Sequence, residues 1–172
     1  MEFDKGMLRL YAVTDRRWEG TLSLPRQVEL ALQGGTTMVQ FREKHLQGAE
    51  KEALARELAK ARDCVVVLTG QTDVVTDGDR TYLIGNGCPE MGRVTGAGCQ
   101  LSALAAAFLA ANPGALLEAA AAAVCAMGLA GEIALTRQAP GDGNATLRCR
   151  IIDAVYHMDG HTLNKGARYG IR

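Results

Sequence analysis

Hydrophobic and polar positions follow two different periods in the first 70 residues. Strand-length apolar runs occupy residues 8–14, 37–42 and 65–69, whereas residues 24–33 and 49–62 place apolar positions at helical spacing among Glu, Lys, Arg and Gln. The order is βαβαβ, which predicts a parallel sheet with right-handed crossovers. After Gly70 the pattern changes to two short alternating segments, 73–76 and 81–84, joined through Asp77-Gly78-Asp79, a hairpin signal. From Gly98 onward the chain reads almost wholly as helix: 99–111, a break at Asn112-Pro113-Gly114, then 115–127, 130–138 and, after Gly141-Asp142-Gly143, 144–157. The expected fold is therefore α/β, a parallel βαβαβ sheet with a β-hairpin and a C-terminal helical layer. Alanine runs such as 119–123 are read as helix propensity and close packing, without a site.

Composition narrows the function. The 172 residues fall near the single-domain range. No Pro/Gly/Ser-rich linker interrupts the Glu/Lys/Ala/Leu pattern between residues 44 and 64, so one compact body is expected. Nineteen basic residues balance nineteen acidic ones, leaving no net field to draw nucleic acid or an acidic membrane surface. The start of the chain is polar and acidic, and no apolar run is read as reaching the roughly 18 residues of a spanning helix. A cytoplasmic protein is expected. Five cysteines at positions 64, 88, 99, 125 and 149 match neither a disulfide framework nor a zinc site. Cys64 and Cys125 are read as core. His157 and His161 lack a third ligand and are read as exposed residues near a frayed C-terminus, so no metal site is assigned.

The candidate chemistry lies in Thr95-Gly96-Ala97-Gly98-Cys99, where a glycine turn opens onto an apolar helix. Unpaired N–H groups of a first helical turn, with the positive end of the helix dipole, hold anions, and glycines permit close approach. The same field favours thiolate, so Cys99 is placed to take a proton from an alcohol as a phosphoryl group arrives. The run also fits a glycine-rich connection before a buried helix, with Cys99 as a small hydrophobe.

Residues 64–78 and the run Asn86-Gly87-Cys88-Pro89-Glu90-Met91-Gly92-Arg93-Val94 leading into that turn resemble hydroxyethylthiazole kinase. The likeness continues through residues 119–126, Gly131-Glu132-Ile133-Ala134 and 144–156. It implies half of a ribokinase-like domain over residues 63–172, and transfer of the γ-phosphate of ATP, with Mg2+, to the primary alcohol of a thiazole in thiamine salvage. By this resemblance Thr69 contacts the ATP phosphates and Gly70 keeps that turn open. Gly96 and Gly98 form an anion hole, with Gly96 also facing the substrate, and Cys99 is the catalytic base. Ala97 departs from the Thr usual between the two glycines, toward the sugar-kinase form of the loop. Sugar kinases of this fold carry Asp where Cys99 stands. The family works as a trimer with substrate sites between subunits, which implies a homo-oligomer. Its thiazole pocket and magnesium-positioning acidic residues lie mostly in the half for which this chain carries other sequence.

At the other end, Leu8-Arg9-Leu10-Tyr11-Ala12-Val13-Thr14-Asp15-Arg16 and Met38-Val39-Gln40-Phe41-Arg42-Glu43-Lys44 look like the start of thiamine phosphate synthase, a TIM barrel. Residues 1–62 would then be a synthase-like βαβα segment. The resemblance implies that Gln40, Arg42 and Lys44 grip a pyrimidine pyrophosphate, as expected at the C-terminal face of a barrel. Only two of the eight βα units are present. The alternatives to a kinase are therefore a synthase fragment binding that pyrophosphate, or a non-catalytic fusion product.

Overall fold

The computed structural model describes residues 11–13, 20–36, 38–40 and 48–172. Strand β1 (Tyr11–Val13) pairs in parallel with β2 (Met38–Gln40), Tyr11 facing Met38 and Val13 facing Gln40. Helix α1 (Leu24–Gln33) connects them, as the sequence predicts. Helix α2 (Gly48–Arg62) then leads to β3 (Val66–Leu68).

Here the expected topology fails. Strand β3 does not continue a parallel βαβαβ sheet among the described residues; it runs antiparallel to β4 (Asp73–Thr76), which pairs antiparallel with β5 (Thr81–Ile84). The four residues between β3 and β4 are too few for a crossover, and a connection of that length returns the chain beside itself. The Asp77-Gly78 hairpin forms where the sequence places it, with Gly78 at φ +98° and the Asp77 carboxylate accepting the N–H groups of Asp79 and Arg80.

Alternation in this sheet sorts its two faces. Val66, Leu68, Val74 and Leu83 pack with Leu24 and Val28 of α1 and Ala55 of α2. Val65, Val67, Val75, Tyr82 and Ile84 pack against Leu117, Ala120, Ala121, Val124 and Cys125 of α4 (Leu116–Thr136). Helices thus cover both faces of an antiparallel sheet.

Helix α4 is one helix of 21 residues, where the sequence suggests two with a break near Gly128. It also corrects the expectation that no run is long enough to span a bilayer, since its length and apolarity suffice. In this structure it is the central core helix, packed between the sheet, α3 (Ala97–Ala111) and α5 (Asn144–Tyr156), with most of its residues buried. Its interior glycines are tolerated because other parts of the chain press against them. A Cβ on Gly128 would lie 2.7 Å from the backbone carbon of Asn86, and one on Gly131 would run into the Met91 side chain.

The C-terminus is built in, contrary to the expected fraying. Asp159 caps α6 (Gly160–Gly166) by accepting the Thr162 N–H at 2.7 Å. Strand β6 (Tyr169–Ile171) then pairs antiparallel with β5. Glu132 of α4 anchors this segment, accepting both Arg168 guanidinium nitrogens at 2.7 and 2.9 Å and the Gly87 N–H. Burial alone would push the Glu132 carboxyl up, but Arg168 and the Gly87 N–H outweigh it and hold it below the usual carboxylate range. His157 and His161 are exposed.

Candidate active site

A short 3₁₀ turn, Pro89–Arg93, delivers the chain to Gly96, the N-cap of α3, whose φ of +89° lies in the left-handed region open to glycine. A Cβ there would meet nothing within 4 Å, so backbone conformation rather than space requires the glycine. No side chain caps the helix, and among the described residues no acceptor is bonded to the N–H groups of Gly98 and Cys99. Two first-turn donors therefore stand beside the exposed Cys99 thiol. Ala97 and Leu101 hold this turn to the core, packing with Val94 and Met127, and Leu101 also reaches the cluster of Val75 and Ile84. Of the cysteines read as core, Cys125 is buried and Cys64 only half-buried.

Thr69 and Gly70 follow β3 directly, and both are exposed. The Gly70 N–H is committed internally, donating to Asp73 Oδ1 at 2.7 Å, so it holds the shape of the turn and is not free for a phosphate. The two turns are carried by elements that share one core, because Val65 and Val67 around β3 and Leu101 of α3 pack on the same cluster. Among the described residues no hydrogen bond joins Thr69 or Gly70 to the Gly96–Cys99 turn.

Two charged residues at this end of the sheet escaped the sequence reading. Lys51, only 4% exposed, lies on the α2 stripe it shares with the fully buried Ala55 and Ala59, and its Nζ donates to the Thr72 carbonyl at 2.8 Å. Burial pushes its ammonium below the ordinary lysine range, while the charge of Asp73 pulls the other way. Burial likewise pushes the Asp73 carboxyl up to about 6, against the pull of the Gly70 N–H and of Lys51. The spacing 51, 55, 59 was the available signal, a lysine occupying a core position of its helix.

Of the alternative pyrophosphate residues, Gln40 contributes its backbone to β2, while Arg42 and Lys44 lie outside the described residues. Among the described residues no group of three or more His, Cys, Asp or Glu could hold a metal ion.

Comparison with known proteins places the chain in a family. A hydroxyethylthiazole kinase from Clostridium acetobutylicum is 43% identical over 115 residues, covering 67% of this chain and 42% of that protein. One from Granulibacter bethesdensis is 46% identical over 112 residues, 65% of this chain and 39% of the relative. A solved structure of a hydroxyethylthiazole kinase protein from Pyrococcus horikoshii OT3 superimposes with a TM-score of 0.71 at 26% identity, covering 93% of this chain and 65% of that one. The chain spans about two-fifths of the length of these curated relatives. A family model, the hydroxyethylthiazole kinase family, matches residues 30–161, which takes in β2 and α2 as well as everything from β3 to α5. With that match covering most of its length, the chain belongs to the hydroxyethylthiazole kinase family.

Proposed function

We propose that the chain is a phosphotransferase of thiamine biosynthesis, passing the γ-phosphate of ATP to the hydroxyl of a hydroxyethylthiazole. The observation that carries this reading is the uncapped start of α3, where Gly96 turns the chain, the Gly98 and Cys99 N–H groups have no acceptor among the described residues, and the Cys99 thiol is exposed. The alcohol oxygen attacks the γ-phosphorus, its proton passes to the Cys99 sulfur, and the bond to the bridging oxygen breaks to release ADP. Negative charge on the transferring group is met by the donors of the Gly96–Gly98 turn. Phosphoryl transfer asks for positioning and charge stabilisation more than covalent chemistry, which such a turn supplies.

Thr69, exposed at the end of β3, is the phosphate contact of this reading, and Gly70 shapes the turn. The described carboxylates do not form a magnesium centre: Asp73 is taken by the Gly70 N–H and Glu132 by Arg168. In this reading Mg2+ enters as Mg·ATP. A homo-oligomer, a trimer by the family resemblance, supplies part of the thiazole pocket from a neighbouring copy, and the protein works in the cytoplasm.

The test is ADP formation from Mg·ATP with and without the thiazole alcohol, alongside pyrophosphate release from the pyrimidine pyrophosphate and thiazole phosphate. Alcohol-stimulated ADP formation is expected. Pyrophosphate release in its place would transfer the function to Gln40, Arg42 and Lys44, and neither product would leave a family member without turnover.

A further inference from the structure

A lysine that reaches a helix's buried stripe ordinarily extends its ammonium to water, but Lys51 does not. Its Nζ is folded beneath the Thr69–Gly70 turn, with one acceptor among the described residues, the Thr72 carbonyl at 2.8 Å, for three ammonium donors. The absent side chain of Gly70 is what leaves it room, since a Cβ there would lie 2.7 Å from Nζ. Asp73 does not neutralise this charge by direct pairing. Its Oδ1 accepts the Gly70 N–H, and no ion pair joins it to Lys51 among the described residues, although each carries the electrostatic influence of the other. With the Gly70 N–H spent, the positive field at this turn comes from below it.

We propose that Lys51 is a positioning residue for the polyphosphate tail of a nucleoside triphosphate, its ammonium setting the affinity of the Thr69–Gly70 turn for negative charge. This rests on the phosphotransferase reading. The ammonium acts through the backbone of Gly70 and Thr72: it holds the turn in shape and places a full charge within a few ångströms of its outer face, in surroundings that screen it poorly. Burial of an ammonium is unfavourable by itself, and the rest of this stripe is alanine, so packing does not account for a charge at this position.

The experiment measures equilibrium binding of Mg·ATP and of AMP to the full chain by titration calorimetry, for the parent, Lys51→Met, Lys51→Arg and Gly70→Ala, with a thermal melt of each. Lys51→Met is expected to weaken Mg·ATP about tenfold, as for loss of a charged contact, and to leave AMP nearly unchanged. Its melting temperature is expected to hold or rise, because the thioether fills the stripe without burying a charge. Lys51→Arg retains part of the selectivity, and Gly70→Ala, which forces Nζ away, loses it as Lys51→Met does. Equal loss for ATP and AMP, a lowered melting temperature with unchanged selectivity, or unchanged binding would overturn the role of Lys51 while leaving the phosphotransferase reading intact. A parent chain that binds no Mg·ATP would contradict that reading and the proposal with it.

Discussion

Burial sets the titration of Asp73 and lifts its carboxyl to about 6, although the Gly70 N–H and Lys51 pull it down. In the unfolded chain a carboxyl titrates near ~3.9, so the folded state binds this proton more tightly. The stabilising contribution is complete below the unfolded value and is lost as pH rises through about 6. Urea unfolding of the parent and of Asp73→Asn, from pH 4 to pH 7, is expected to show the parent losing stability relative to the variant across that window. A constant difference between the two proteins would contradict this. At Gly96 the requirement is conformational: Gly96→Ala meets no atom within 4 Å, so its cost is the left-handed strain alone, about 1 kcal/mol in a denaturant melt. The glycine turn and Cys99 were legible in the sequence because a helix start and a left-handed residue are local chemistry. Lys51 and Asp73 were not, because their burial depends on how α2 settles on the sheet, and the Lys51–Thr72 bond spans 21 positions.

Elements whose signals are local were read almost to the residue. Helix α1 and strands β4 and β5 lie where the hydrophobic spacing puts them. The pairing of β3 was missed because a preceding helix suggests a parallel crossover, whereas the short connection to β4 decides for an antiparallel partner. Helix α4 was split because glycine ordinarily weakens a helix interior, yet here each glycine serves a close approach. The two positions are expected to differ. Gly128→Ala pushes against the backbone of Asn86 and is expected to cost about 2 kcal/mol net of the gain in helix propensity, whereas Gly131→Ala meets only the flexible Met91 side chain and costs less than about 1 kcal/mol. Chemical denaturation of both variants checks the order, and equal costs would show that α4 is free to shift. Strand β6 is three exposed residues with no alternating signal, held from a distance by Glu132 and Arg168. Glu132→Ala orphans the Gly87 N–H and releases Arg168, for an expected loss of about 2 kcal/mol. Hydrogen exchange at the Arg172 amide, which bonds to the Thr81 carbonyl, is expected to accelerate in that variant, and unchanged protection would show that the strand holds without its anchor.

At the scale of the whole molecule, a helix–sheet–helix body carries the two turns of the candidate site on elements that share one core. The kinase likeness takes in β2 and α2 as well as the C-terminal part, and the structural match covers 93% of the chain. The chain nevertheless spans only 42% of its relative from Clostridium acetobutylicum. Cys99 stands exposed in the uncapped first turn of α3. The most direct measurement is transfer of radiolabelled γ-phosphate from Mg·ATP to the thiazole alcohol by the purified chain and by Cys99→Ala. Labelled thiazole phosphate is expected from the parent, with the rate falling about 10²-fold or more in a variant that melts like the parent. Equal rates from the two proteins would remove Cys99 from the chemistry, and no labelled product from a folded parent would contradict the phosphotransferase assignment.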